Sequence, residues 1–191
     1  MGDEMKKYQI IYADPPWTYR KSGGIKSARG LAKSFYQTMD IEEIKNLPIQ
    51  NIVDANCYLF LWTTAPCMQE GLDVLKAWGF KYFTVALTWI KENKNGSLFW
   101  GMGNSTRANP EYCLLGRIGK LKRIDAGVHS VIMQRIMEHS RKPHEARTRI
   151  ERLYGDLQRI ELFARQRTPG WDVWGNEVES DITLAAERIG K

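Results

Sequence analysis

Long apolar runs, paired cysteines and clustered histidines are missing from this chain of 191 residues, and each absence narrows what it can be. No apolar run approaches the roughly 18 residues that a membrane-spanning helix requires. No basic-then-apolar leader opens the sequence, so a cytoplasmic protein is expected. The cysteines, Cys57, Cys67 and Cys113, are odd in number and lack metal-ligand spacing. Cys57 and Cys113 sit inside apolar runs, where a buried thiol in a reducing compartment is the ordinary reading. His129, His139 and His144 form no zinc constellation with them, and no serine or cysteine has a partner nearby in sequence for nucleophilic catalysis. No internal repeat or low-complexity tract is visible.

What is present suits one core. With 43% hydrophobic residues, a chain of this length can bury a sizeable core but not two comfortable ones, so residues 1–191 are expected to form a single domain. The formal net charge of +6 favours a polyanionic partner.

The pattern along the chain alternates strands with helices. Ile10 and Ile11 suit a buried strand, which must end at Asp14 because Pro15 and Pro16 have no N–H to donate to a sheet. Residues 20–33 follow, a basic stretch with Arg20, Lys21, Lys26, Arg29 and Lys33. Its bland reading is a solvated loop, but its place beside Asp14 favours a lid that touches phosphates. Asp40 and Glu43 predict a capping box for a helix over 41–47, which Pro48 ends. Residues 57–62, a continuous apolar run, predict a strand buried on both faces, then a helix over 68–78 and a second strand over 82–90. Residues 91–110 read as a long loop carrying Lys91, Lys94 and Arg107, followed by a strand over 111–118 and another basic loop over 119–130. Pro143 precedes an amphipathic helix over 145–154, and a strand over 159–164 leads to a tight element over 170–175. Such an alternation predicts a three-layer α/β fold with a mostly parallel sheet.

Ligands in such folds bind beyond the carboxyl ends of the strands, where strand order reverses. Asp14 to Trp17, Arg165 to Thr168, and Asn176 with Glu177 all fall at such ends, and Lys142 stands before a helix N-terminus. A carboxylate, a rigid carbonyl and an aromatic plate at the first of these ends suit a planar, amine-bearing ligand.

These residues carry a resemblance. Asp14-Pro15-Pro16-Trp17, Ser140-Arg141-Lys142-Pro143-His144-Glu145, Glu161-Leu162-Phe163-Ala164-Arg165 and Gly170-Trp171-Asp172-Val173-Trp174-Gly175-Asn176-Glu177 resemble, in that order, the adenine-N6 methyltransferase family named after the 70-kDa subunit of the mRNA adenosine methyltransferase. The likeness runs from about residue 10 to residue 178. It implies a Rossmann-like, S-adenosylmethionine-dependent methyltransferase fold in which the catalytic motif precedes the cofactor-binding strand. It also implies chemistry. Asp14 and the Pro15 carbonyl would each accept an N–H of adenine's exocyclic amine, Pro16 would stiffen the loop, and Trp17, with Tyr19, would stack on the purine. On the cofactor side, shared by Asp14, Lys142 would bind the methionine carboxylate. Arg165, Arg167 and Thr168 would line the methionine and ribose, and Asn176 and Glu177 would hold the adenine and ribose ends. Tyr19, Arg20, Lys21, Lys26, Arg29 and Arg107 would contact the substrate. The glycine-rich signature of many methyltransferases is reduced here to Phe163-Ala164-Arg165.

The leading expectation is methyl transfer to adenine in DNA, with the base extruded into the Asp14 loop and no metal or membrane involved. The first rival is the same reaction on RNA. The second is a non-catalytic nucleic-acid-binding subunit, against which the intact Asp14 to Trp17 string argues. Residues 91–110 are the candidate contact for a homodimer.

Overall fold

The apolar residues of β1 (Tyr8–Ala13) are buried on both faces, which places this strand inside a sheet rather than at its rim. The computed structural model describes residues 5–18, 38–103, 105–137 and 141–184. Its other strands are β2 (Val53–Thr64), β3 (Lys81–Glu92), β4 (Glu111–Ile118), β5 (Val131–Arg135), β6 (Arg159–Leu162) and β7 (Asp172–Trp174), and its helices are α1 (Ile41–Lys45), α2 (Met68–Ala77) and α3 (His144–Tyr154). The strands form one sheet in the order β5-β3-β4-β2-β1-β6-β7. All run the same way except β4, which is antiparallel to both β2 and β3.

Successive residues of β1 feed different cores. Ile11 and Ala13 join Leu59, Leu61, Val74, Leu75 and Trp78 under α1 and α2. Ile10 and Tyr12 join Phe60, Trp62, Ile150 and Trp171 under α3. The result is the expected three-layer, mostly parallel Rossmann-like arrangement. α1 carries the expected capping box, in which Asp40 accepts the Glu42 N–H at 2.9 Å and Glu43 accepts the Asp40 N–H at 2.9 Å. No helix among the described residues is long and apolar enough to cross a membrane.

The sheet also fixes where the site lies. Ala13 pairs with Leu61 on one side and Leu162 on the other, so residues 14 and 163 leave the sheet together at β1's end, beside Trp62, from which β2 runs on to Thr64. β2 to β5 lie on one side of β1, and β6 and β7 lie on the other. Strand order therefore reverses at β1, and the crevice opens beyond Asp14.

Several elements depart from expectation. The strand over 111–118 has the expected bounds but runs backward, between β2 and β3. A run buried on both faces carries no signal of direction. β5 was not expected: its five residues alternate buried Ile132 with exposed Val131 and Met133, too short a pattern beside the polar loop before it. The helix over 41–47 ends at Lys45, and the strand over 159–164 ends at Leu162 because Phe163 turns to a left-handed φ of 59°. The tight element over 170–175 contains β7, paired parallel with β6.

Candidate active site

The loop after β1 is pinned from three sides. The Pro15 carbonyl accepts the Trp17 N–H at 2.9 Å, a tight turn centred on Pro16, and the Pro16 carbonyl accepts the Met39 N–H at 3.1 Å. The indole N–H of Trp17 donates to the carbonyl of Trp62 in β2 at 3.0 Å. Trp17 is thus a fixed, buried wall, and the direction of Asp14 is set by the backbone around it.

Asp14 begins a chain of alternating charges. Lys142 donates to Asp14 Oδ2 at 2.7 Å and lies 3.2 Å from Glu111 Oε2, and Lys91 donates to Glu111 Oε1 at 3.1 Å. The Lys142 side chain is only 7% exposed, so its charge depends on these carboxylates. Burial raises the Asp14 carboxyl above its ordinary value, more than Lys142 lowers it. Glu111 goes the other way: burial alone would raise it, but Lys142 and Lys91 together bring it below its ordinary value. Burial works against the charge on Lys142, yet Asp14 and Glu111 outweigh it and hold the ammonium protonated above the usual lysine value. Glu111 comes from the start of β4, and the reversed direction of that strand delivers it to the carboxyl end of β2.

A second buried pair lies nearby. Arg147, on α3, donates through Nε and Nη2 to the two oxygens of Glu161 on β6, at 2.7 and 2.5 Å. Its guanidinium stands 5.1 Å from the ring centre of Tyr12, whose hydroxyl accepts the Trp62 indole N–H at 2.7 Å.

Three cavities meet at Asp14. A small one of about 170 Å³ is walled by Asp14, Pro15, Pro16 and Trp17 with Thr63, Thr64 and Glu111. A larger one of about 530 Å³ lies along Tyr12, Asp14, Lys142, Arg147, Glu161, Phe163 and Arg165. A third of about 390 Å³ continues past Phe163 and Arg165 to Trp174, Asn176 and Glu177. Gly175 closes against the Phe163 turn, where a Cβ would fall 2.2 Å from the Ala164 carbonyl oxygen.

The structure thus brings together Asp14, Pro15, Pro16, Trp17, Lys142, Arg165, Asn176 and Glu177. It sets Arg167 and Thr168 apart from these cavities. Arg167 is paired with Asp181 at 2.8 Å, and the Thr168 carbonyl accepts the Trp171 N–H. Arg107 binds the carbonyls of Trp100 and Gly101, bracing its own loop. Tyr19, Arg20, Lys21, Lys26, Arg29 and Ser140 lie outside the described residues. Glu111, Arg147 and Glu161 were not expected at the site. Glu111 carried one usable signal, a lone acid opening an apolar strand, whereas Arg147 reads in sequence as one more charge on an amphipathic helix. Among the described residues no group of His, Cys, Asp or Glu is placed to hold a metal ion.

The two larger cavities fit a cofactor of the S-adenosylmethionine type. Such a ligand is elongated, zwitterionic at one end and a nucleoside at the other. Cations (Arg141, Lys142, Arg147, Arg165) and carboxylates (Asp14, Glu161, Glu177) are mixed along the wall, and the Nη1 of Arg147 is buried without a partner among the described residues.

Comparison with known proteins points the same way. The MT-A70 family model matches residues 8–177. The chain is 34% identical to the type II methyltransferase M.MunI of a Mycoplasma species, over 91% of this chain and 78% of that protein. It is 30% identical to the N(6)-adenosine-methyltransferase MT-A70-like protein of Drosophila melanogaster, over 96% of this chain and 29% of that protein. It is 29% identical to the N(6)-adenosine-methyltransferase catalytic subunit METTL3 of Homo sapiens, over 97% of this chain and 30% of that protein. The chain therefore spans less than a third of the length of these two adenosine methyltransferases.

Proposed function

The chain belongs to the MT-A70 family of adenine-N6 methyltransferases, and on that premise we propose that it methylates the exocyclic N6 amine of adenine in DNA with S-adenosylmethionine as donor. The observation that carries this reading is the meeting of the small and large cavities at Asp14. The small cavity, about 170 Å³, is well below the roughly 300–1,000 Å³ of sites for drug-sized ligands and suits one flat base.

The chemistry follows from the residues at that junction. Adenine's amine is a poor nucleophile because its lone pair is delocalised into the ring. Lys142 occupies Oδ2 of Asp14, and no hydrogen bond among the described residues reaches Oδ1. The Pro15 carbonyl has one lone pair taken by Trp17 and a second left over. These two acceptors bind the two N–H groups of the amine and turn its lone pair out of the ring plane, toward the larger cavity. When bound there, the cofactor supplies an electrophilic methyl group on a sulfonium. Methylation makes the amine cationic and its proton acidic, and that proton leaves to solvent or to Asp14. Because Lys142 serves Asp14 and Glu111, we assign it to orienting Asp14 rather than to gripping a ligand. Arg165, Asn176 and Glu177 would line the cofactor's nucleoside side.

One observation favours DNA over RNA: this chain covers 78% of the type II methyltransferase relative but less than a third of the adenosine-methyltransferase relatives, while the net charge of +6 suits the phosphate backbone of either polymer. Labelled S-adenosylmethionine incubated with single-stranded DNA, duplex DNA and RNA side by side tests the proposal. Label in adenine-containing DNA is expected; transfer to RNA alone would move the assignment to the other polymer, and transfer to neither would refute the enzyme reading.

A further inference from the structure

We propose that Arg147 is the anchor for the carboxylate of the cofactor's amino-acid end. This rests on the reading that the 530 Å³ cavity takes S-adenosylmethionine. Arg147 is 6% exposed, yet it is part of that cavity's wall. Nε and Nη2 are consumed by Glu161, at 2.7 and 2.5 Å, while Nη1 is buried with no hydrogen-bond partner among the described residues. A buried guanidinium edge without an acceptor is uncommon and destabilising, and a ligand carboxylate is the acceptor that fits it.

Lys142, the other buried cation on this wall, is neutralised from two sides: it donates to Asp14 at 2.7 Å and stands 3.2 Å from Glu111. Among the described residues Arg147 pairs directly with one carboxylate, Glu161, and feels the Asp14 charge from farther off. The bidentate grip of Glu161 and the Tyr12 ring 5.1 Å from the guanidinium hold its plane still, so the remaining N–H donors are presented in fixed positions. A zwitterionic amino acid adds no net charge to this wall, so the Arg147–Glu161 pair stays balanced when it is filled.

Calorimetric titration with two probes tests the assignment: S-adenosylhomocysteine, which has the amino-acid end, and 5′-methylthioadenosine, which lacks it. Arg147→Lys should weaken S-adenosylhomocysteine several-fold and leave 5′-methylthioadenosine unchanged. Arg147→Gln combined with Glu161→Gln, which removes both buried charges at once, should weaken S-adenosylhomocysteine by at least about tenfold with the same indifference to 5′-methylthioadenosine. Glu161→Gln alone should cost less than the pair. If both probes weaken equally, or if S-adenosylhomocysteine binds the double variant within twofold of the wild type, Arg147 is not the anchor. A wild-type protein that binds neither probe overturns the cofactor reading and this assignment with it.

Discussion

At the scale of single residues, Asp14 and Glu111 are neighbours of the same lysine with opposite consequences. Burial raises the Asp14 carboxyl, so its ionised form costs folding stability above its unfolded value, and that cost fades as pH falls through the folded one. Asp14→Asn relieves the burial cost of the Asp14 charge but takes one of two buried carboxylates from Lys142, so it should lower the melting temperature at pH 7 less than Glu111→Gln does, while lowering kcat by about 10²-fold or more. The acid limb of the kcat/KM profile should lie above the ordinary aspartate value of 3.8, because a protonated Asp14 loses acceptor strength. Glu111 is held below its ordinary value, so its contribution to stability is full above its unfolded value and is lost as pH falls through the folded one. Glu111→Gln should cost about 3 kcal/mol in denaturant unfolding, since it leaves Lys142 and Lys91 short of a buried partner. Asp14, Lys142 and Asn176 were legible in the sequence because they stand at strand ends or before a helix. Glu111 and Arg147 were not, since a charged residue looks the same whether it turns inward or outward.

At the scale of elements, the turn after β6 carries the site's local strain. Phe163 adopts a left-handed φ of 59°, and Gly175 packs directly on the next residue. A Cβ at position 175 would meet the Ala164 carbonyl oxygen at 2.2 Å and its nitrogen at 2.8 Å, and backbone atoms cannot swing aside. Gly175→Ala should therefore displace the 163–165 turn, weakening S-adenosylhomocysteine binding by tenfold or more and lowering the melting temperature. Wild-type affinity in this variant would show that the turn does not shape the cofactor cavity. Most strands were legible from their apolar runs. The reversal of β4 was not, and it matters most, because it alone brings Glu111 to Lys142.

At the scale of the whole molecule, one sheet from β5 to β7 carries a core on each face. Its basic character should show in the salt dependence of binding. Fluorescence anisotropy with an adenine-containing duplex should give an affinity that falls by at least tenfold between 50 and 200 mM salt, roughly the behaviour of a protein neutralising several phosphates. A salt-independent affinity would remove the basic loops from substrate binding.

N6 methylation of adenine in DNA at the Asp14 loop would leave a modified nucleoside that mass spectrometry identifies. DNA treated with the wild-type protein and S-adenosylmethionine, then digested, should contain N6-methyldeoxyadenosine, and DNA treated with Asp14→Asn should contain almost none. A methylated cytosine in its place, or equal product from the variant, would rule out adenine methylation at Asp14.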